Sequence, residues 1–209
     1  MYVKARMTTN PFTVTPEATI ADTLELMRSK NIRRVPVIKN EKLVGIITEK
    51  KLLEISPSPA TSLSIFEINY LLSKTKISEL MTKDVITVTP DTLVEIAATK
   101  MKEYDIGAIP VVENGKLVGI ITESDIFETF IEIMGFQDTG SRIDIKAEED
   151  RPGILAEVAA IIAGMNVNIT HLTLYHDEIT IRINTINPDP VIHGLQEKGY
   201  KVVAIYVNQ

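Results

Sequence analysis

Lys42-Leu43-Val44-Gly45-Ile46-Ile47-Thr48-Glu49 returns unchanged as Lys116-Leu117-Val118-Gly119-Ile120-Ile121-Thr122-Glu123, 74 residues further along the chain. The same spacing carries Met7-Thr8 onto Met81-Thr82 and Thr13-Val14-Thr15-Pro16 onto Thr87-Val88-Thr89-Pro90. It also carries Val35-Pro36-Val37 onto Ile109-Pro110-Val111. About 19 of the 47 positions in residues 7–53 match their counterparts in residues 81–127, without a gap. Two copies rather than a long array predict an intramolecular pair.

Each copy has the same physical reading. The Thr-Val-Thr-Pro segment is a short extended piece ended by proline. Ile20, Leu24 and Met27 fall on one helical face. Val35-Pro36-Val37-Ile38 reads as a short buried strand, and residues 43–48 as its hairpin partner. The turns between them are Lys39-Asn40-Glu41-Lys42 and Glu113-Asn114-Gly115-Lys116. A helix beginning near Glu49 or Glu123 closes each copy. A unit of about 60 residues buries too little apolar surface alone, so the copies are expected to pack on each other. Ser56-Pro57-Ser58-Pro59 reads as a linker. After it, Ile65, Ile68, Leu71 and Leu72 make a helical stripe, read as cover for the pair, with partner docking as the alternative.

Composition narrows the function. The 209 residues carry 22 Lys plus Arg and 28 Asp plus Glu, a net charge of −6. That balance argues against a nucleic-acid groove, although a local basic patch around a phosphate remains compatible with it. Without cysteine there is no disulfide, thiolate metal site or cysteine nucleophile. Apolar runs are far short of the roughly 20 residues that span a bilayer, and MYVKARMTTNPF is no signal peptide, so the expected location is the cytoplasm. His171, His176 and His193 have no metal-ligand spacing. Phosphate-loop, Gly-x-Ser-x-Gly and His-Glu-x-x-His motifs are missing.

From Ser141 the pattern changes. Residues 142–147 alternate as a strand, and Asp150-Arg151-Pro152-Gly153 opens a helix with Ile154, Leu155, Val158, Ile161 and Ile162 on its apolar face. Gly164 reads as its terminator. Residues 167–175 form a strand, His176-Asp177 a tight turn, and Ile179, Ile181 and Ile183 alternate in the next strand. A short helix over residues 190–198 ends at Gly199, and residues 201–207 are a last strand. The order βαββαβ predicts a sheet with helices on one face.

The repeats resemble the cystathionine-β-synthase (CBS) domain pair, or Bateman module, on the Ile-Pro-Val-Val and Gly-Ile-Ile-Thr-x-x-Asp segments of the second copy and their counterparts in the first. The resemblance covers residues 1–135, as a first motif over 1–56, a linker and helix over 57–78, and a second motif over 79–135. It implies a cleft that binds an adenosine-containing ligand such as AMP, ATP, S-adenosylmethionine or NAD. It puts Thr122 and Asp125 on the ribose and Gly107, Ala108 and Ile109 on the adenine edge, through backbone groups left unpaired beside Pro110. Thr87 and Val88 complete that candidate set. Asp125 can equally cap the helix, with Thr122 ending the strand. The first copy has Thr48 but Lys51 in place of Asp125, and lysine cannot accept a hydroxyl hydrogen bond. Arg33, Arg34, Lys50 and Lys51 gather positive charge there, either as a phosphate site or as a solvated surface cluster. One strong nucleotide site per chain is the expectation.

Residues 141–209 resemble the ACT domain, on the βαββαβ order, Asp150-Arg151-Pro152-Gly153 and Asn168-Ile169. The overall class is therefore α+β, a tandem CBS pair followed by a ferredoxin-like ACT domain. The ACT resemblance implies a possible amino-acid site at Asp150, Pro152, Gly153 and Asn168, with Asp150 as a plain helix cap the alternative. The module order resembles the acetoin-utilisation B family of regulators. It implies a non-enzymatic cytoplasmic regulator tied to acetoin or acetate metabolism, with no required cofactor or metal. A homodimer acting on an unidentified protein is expected, without nucleic acid or membrane. The alternatives are a relative of a metabolic enzyme such as inosine-monophosphate dehydrogenase, and a purely structural dimerisation protein. The ACT tail is expected to supply dimer contacts if the second face of the 179–183 strand lies uncovered.

Overall fold

The computed structural model describes residues 1–55, 64–146 and 151–209. The linker at 56–59, residues 60–63 and Asp150 lie outside the described residues, as do the side chains of Ile65 and Ile68. The chain forms two compact units, Met1–Ile126 and Phe127–Gln209.

In the first unit, β1 is Thr8–Thr9 and α1 is Ile20–Ser29, followed by the hairpin of β2 (Arg34–Lys39) and β3 (Lys42–Thr48) and by α2 (Glu49–Ile55). Then come α3 (Ile65–Lys74), α4 (Val94–Glu103), the hairpin of β4 (Ala108–Glu113) and β5 (Lys116–Thr122), and α5 (Glu123–Ile133), which runs on into the second unit. Helix α1 starts where the Thr19 hydroxyl accepts from Asp22 N while Asp22 reaches back to Thr19, a reciprocal cap. Its stripe of Ile20, Leu24 and Met27 is buried against Val35, Val37 and Ile47. The second copy repeats this core with Val94, Met101, Ile109, Val111 and Ile121. Both hairpins carry a bulge at the same place, between Val37 and Ile38 and between Val111 and Val112. Both turn through two left-handed residues, Asn40-Glu41 and Asn114-Gly115, the geometry that matches strand twist. Glu41 adopts it without glycine's freedom, and its carboxylate takes a 2.7 Å hydrogen bond from Lys116 of the other turn. That bond holds the Glu41 carboxyl below its ordinary pKa.

The copies exchange their leading segments. Val3, at the amino terminus, is fully buried in the core of the second copy, and Ile77, just ahead of the second copy, is fully buried in the core of the first. Strand β1 pairs with β5, Thr8 opposite Ile120, and Thr82 exchanges backbone hydrogen bonds with Ile46. This crossing explains the glycines in the repeated octapeptide. A Cβ on Gly119 would stand 2.5 Å from Met7 Sδ and 3.1 Å from Thr8 O, and one on Gly45 would meet Met81 and Thr82 at the same distances. Gly119→Ala is therefore expected to destabilise the first unit by about 1–3 kcal/mol, as overpacking does. Urea denaturation measures it, and an unchanged midpoint would refute the account. Helix α3 carries Leu72 half-buried on the first copy's core, whereas Leu71, expected in the buried stripe, faces solvent beside Phe66 and Tyr70.

The second unit is a four-stranded antiparallel sheet of β6 (Gly140–Lys146), β7 (Ile169–Tyr175), β8 (Glu178–Ile183) and β9 (Lys201–Asn208) in the order β7-β8-β6-β9, with α6 (Ile154–Gly164) and α7 (Asp189–Glu197). This is the ferredoxin-like arrangement that the βαββαβ order predicts. Ile143 and Ile145 of β6 and Ile179, Ile181 and Ile183 of β8 are buried with Val158, Ile162, Val191 and Leu195. The apolar side of β8 is thus filled by its own helices. Leu155 is also turned outward, and α6 is terminated by left-handed Asn166 rather than by Gly164. The opposite side of the sheet is polar, since register sets Arg142 beside Arg182 and Asp144 beside Thr180. The residues after α5 lie along it. The Phe136 ring is 5.6 Å from the buried Arg182 guanidinium and stacks with Tyr206, and Asn208 Nδ2 donates to Phe136 O and Asp138 O. These anchors explain why the unit begins at Phe127 rather than near residue 141. Burial lowers the pKa of Arg182, with neighbouring Arg142 adding to the effect.

Candidate functional site

Because the leading segments cross over, each copy's β-hairpin end faces the other copy's α1 or α4 terminus, and the space between becomes a cleft. Two clefts result. The first, about 820 Å³, is walled by Thr48, Lys50 and Leu53 of the first copy and by Thr82, Ile86 and residues 105–108 of the second. The other, about 370 Å³, is walled by Thr122 and Ser124 of the second copy and by Thr8, Asn10, Phe12 and residues 31–34 of the first. Adding 74 converts Thr8, Asn10, Phe12, Asn31 and Thr48 into Thr82, Asp84, Ile86, Asp105 and Thr122, so the two walls are counterparts. Both volumes suit a small organic ligand. Arg33 and Arg34 line both clefts.

Arginine 34 has room because of Gly107. A Cβ there would collide with the Arg34 guanidinium and with Glu123 Oε2, and Arg34 Nη2 sits 3.7 Å from that carboxylate. At the head of α5, Asp125 Oδ2 accepts from Thr122 N at 2.6 Å and from Thr122 Oγ1 at 2.7 Å. Asp125 N donates back to the same hydroxyl at 3.4 Å. The helix-cap geometry is therefore formed. In the first copy only the Lys51 N to Thr48 Oγ1 bond remains, at 3.2 Å.

The sequence-selected residues are distributed over both clefts. Thr122 lies in the smaller one, whereas Gly107 and Ala108 wall the larger one with Lys50. Ile109, Pro110 and Val88 are buried, Thr87 is exposed, and none of the four is a wall residue. Among the backbone groups expected to be spare, Gly107 O accepts from Glu123 N, and Ala108 and Ile109 stand opposite Thr122 and Ile121 in the β4–β5 ladder. Asp125 and Lys51 both stand outside the walls, and Lys51 is exposed. Sequence reasoning missed Asn10, Phe12 and Asn31 with their counterparts Asp84, Ile86 and Asp105; the 74-residue spacing pairs them, but nothing local marks them. In the second unit Pro152, Gly153 and Asn168 are exposed, and the Asn168 backbone pairs with Asn184.

The CBS domain model matches residues 3–58 and 77–132, the two halves that build the clefts. The chain belongs to the CBS-domain family. The ACT domain model matches residues 141–197 of this CBS-domain chain. Among solved structures, a Vibrio cholerae chain described as an acetoin utilization protein (AcuB) is similar at 33% identity and a TM-score of 0.54, over 66% of this chain and 95% of that one. The CBS domain pair of protein MJ0100, in complex with 5′-methylthioadenosine and S-adenosyl-L-methionine, is similar at 31% identity and a TM-score of 0.52, over 62% and 95%. CBSX2 in complex with AMP is similar at 31% identity and a TM-score of 0.53, over 63% and 97%. Homoserine O-acetyltransferase of Methanococcus vannielii is 43% identical over 59% of this chain, and inosine-5′-monophosphate dehydrogenase of Korarchaeum cryptofilum 31% identical over 81%. The chain spans only 23% and 32% of those two proteins. Among the described residues no helix is long and apolar enough to cross a membrane.

Proposed function

We propose that this chain is a non-catalytic regulator that binds an adenosine-containing ligand, of the AMP, ATP, S-adenosylmethionine or NAD class, in its CBS clefts and relays occupancy to another protein. The observation that carries the reading is the smaller cleft, where Thr122, Asn31, Phe12 and the pair Arg33-Arg34 surround one space with no acidic side chain in its wall among the described residues. A threonine backed by Asp125 suits a ribose, the Phe12 ring offers a face to a purine, and the two guanidiniums suit a phosphate. The solved neighbours holding AMP, S-adenosyl-L-methionine and 5′-methylthioadenosine support the same ligand class. Lys50 lies with the arginines in the wall of the larger cleft, whereas the exposed Lys51 lies outside both walls.

The test is thermal unfolding with AMP, ADP, ATP, S-adenosylmethionine, NAD and a set of amino acids. At 100 times its dissociation constant a true ligand adds about 2.7 kcal/mol of stability. A shift with an adenosine compound is expected, and no shift with any of them refutes the reading. A shift with an amino acid would assign a second input to the ACT unit, whose Pro152-Gly153 turn is open to solvent. The regulator works as a cytoplasmic homodimer in this proposal, in the setting of acetoin or acetate metabolism. Its edge strand β9 exposes Val203, Ile205 and Val207, apolar groups that a second copy would cover. Light scattering should then give twice the 23.2 kDa chain mass, and a monomer mass at micromolar concentration rejects the dimer.

A further inference from the structure

The two clefts share a wall plan but not a charge. Where the smaller cleft has Asn10 and Asn31, the larger has Asp84 and Asp105. Among the described residues the smaller wall carries two arginines and no acid; the larger adds Lys50 but also Glu49, Glu54, Asp84 and Asp105. Lys50 already pairs with Glu54, and Arg34 with Glu123. Among the described residues, neither the Asp84 nor the Asp105 carboxylate has an ion pair or a side-chain hydrogen bond.

We propose that the clefts are divided by ligand charge, the smaller taking a phosphorylated adenosine and the larger an adenosine with a cationic 5′ substituent, such as a sulfonium. This rests on the adenosine reading above and deepens it. A phosphate in the larger cleft would meet four carboxylates against three cations, Arg33, Arg34 and Lys50, whereas among the described residues the smaller wall presents two guanidiniums and no acid. The division is also cooperative. Arg33 and Arg34 belong to both walls, so a phosphate bound on the Thr122 side draws their charge toward itself and leaves the Thr48 side more negative. A cation there then binds more tightly, and by linkage it strengthens the phosphate site in turn.

Calorimetric titration of the full chain tests this with AMP, S-adenosylmethionine and S-adenosylhomocysteine, which lacks the sulfonium charge. S-adenosylmethionine should bind to the AMP-saturated chain, at least about tenfold more tightly than S-adenosylhomocysteine. The double variant Asp84→Asn, Asp105→Asn should abolish that preference and leave the affinity for AMP in the absence of a second ligand unchanged. It installs the residues that the other cleft already carries, and asparagine accepts the left-handed backbone at 105 as Asn31 does, so folding is preserved. Mutual displacement of AMP and S-adenosylmethionine, or an unchanged preference in the double variant, overturns the division while the adenosine reading stands. If none of the three compounds binds, both fall together.

Discussion

Asp125→Ala is expected to weaken adenosine binding roughly ten- to a hundredfold, because it removes the carboxylate hydrogen-bonded to Thr122 in the wall of the smaller cleft. A hydrogen bond to a charged group is worth about 1.5–3 kcal/mol, and about 1.4 kcal/mol is a factor of ten in affinity. The carboxylate does two jobs in the proposal. Its Oδ2 accepts from Thr122 N and Thr122 Oγ1, and in the proposal the carboxylate also accepts from ribose hydroxyls. Truncation therefore also removes half of a helix cap, a loss of about 1 kcal/mol in stability. The two effects separate in experiment, since binding is measured by calorimetry well below the melting temperature. Lys51→Ala in the other copy should leave adenosine binding nearly untouched, because a lysine cannot accept a hydrogen bond from a ribose hydroxyl. Parent-like affinity in Asp125→Ala would mean that the residue is a cap and nothing more.

Gly140→Ala is expected to be the most damaging small substitution in the second unit. Gly140 has φ +147°, and an added Cβ would run into Ile183 O, a backbone atom of the paired strand that has nowhere to go. Gly119 is different, because there the nearest obstacle is the flexible end of Met7. Strain at such a φ costs about 1–3 kcal/mol, and separating β6 from β8 adds to it. A total near 3 kcal/mol lowers the melting temperature of a unit this size by about 10 °C or more. Adenosine should still raise the melting temperature of the first unit in this variant. Calorimetric scanning shows both effects, and a parent-like scan would contradict the steric account.

Much of this architecture is legible in the sequence, and the rest is hidden for identifiable reasons. The hairpins announce themselves because Val35-Pro36-Val37 and Ile109-Pro110-Val111 are buried runs followed by turn residues. The helix stripe of Ile20, Leu24 and Met27 is equally plain, since burial of one face sets the spacing. The crossing of leading segments is not legible, because nothing in Met7-Thr8 says that it pairs with Gly119 rather than with Gly45 of its own copy. For that reason Gly107, Ala108 and Thr122, which sit on one hairpin, were expected around one ligand and instead wall different clefts. Leu155 looks like part of an apolar helix face, yet tertiary packing leaves it outside. Arg182 is the reverse case, a charged residue in an alternating strand that is buried under the residues after α5.

The crossing of leading segments also bears on ancestry. A single repeat cut free would lack the turn that fills its core, and two identical repeats would restore it only by trading segments with each other, as a symmetric dimer. In such a dimer both pockets would be copies of one gene's sequence, and any change would appear in both. A single chain that carries both copies is free of that constraint. Asp125 can therefore differ from Lys51, and Asn10 from Asp84, so the two clefts need not be alike.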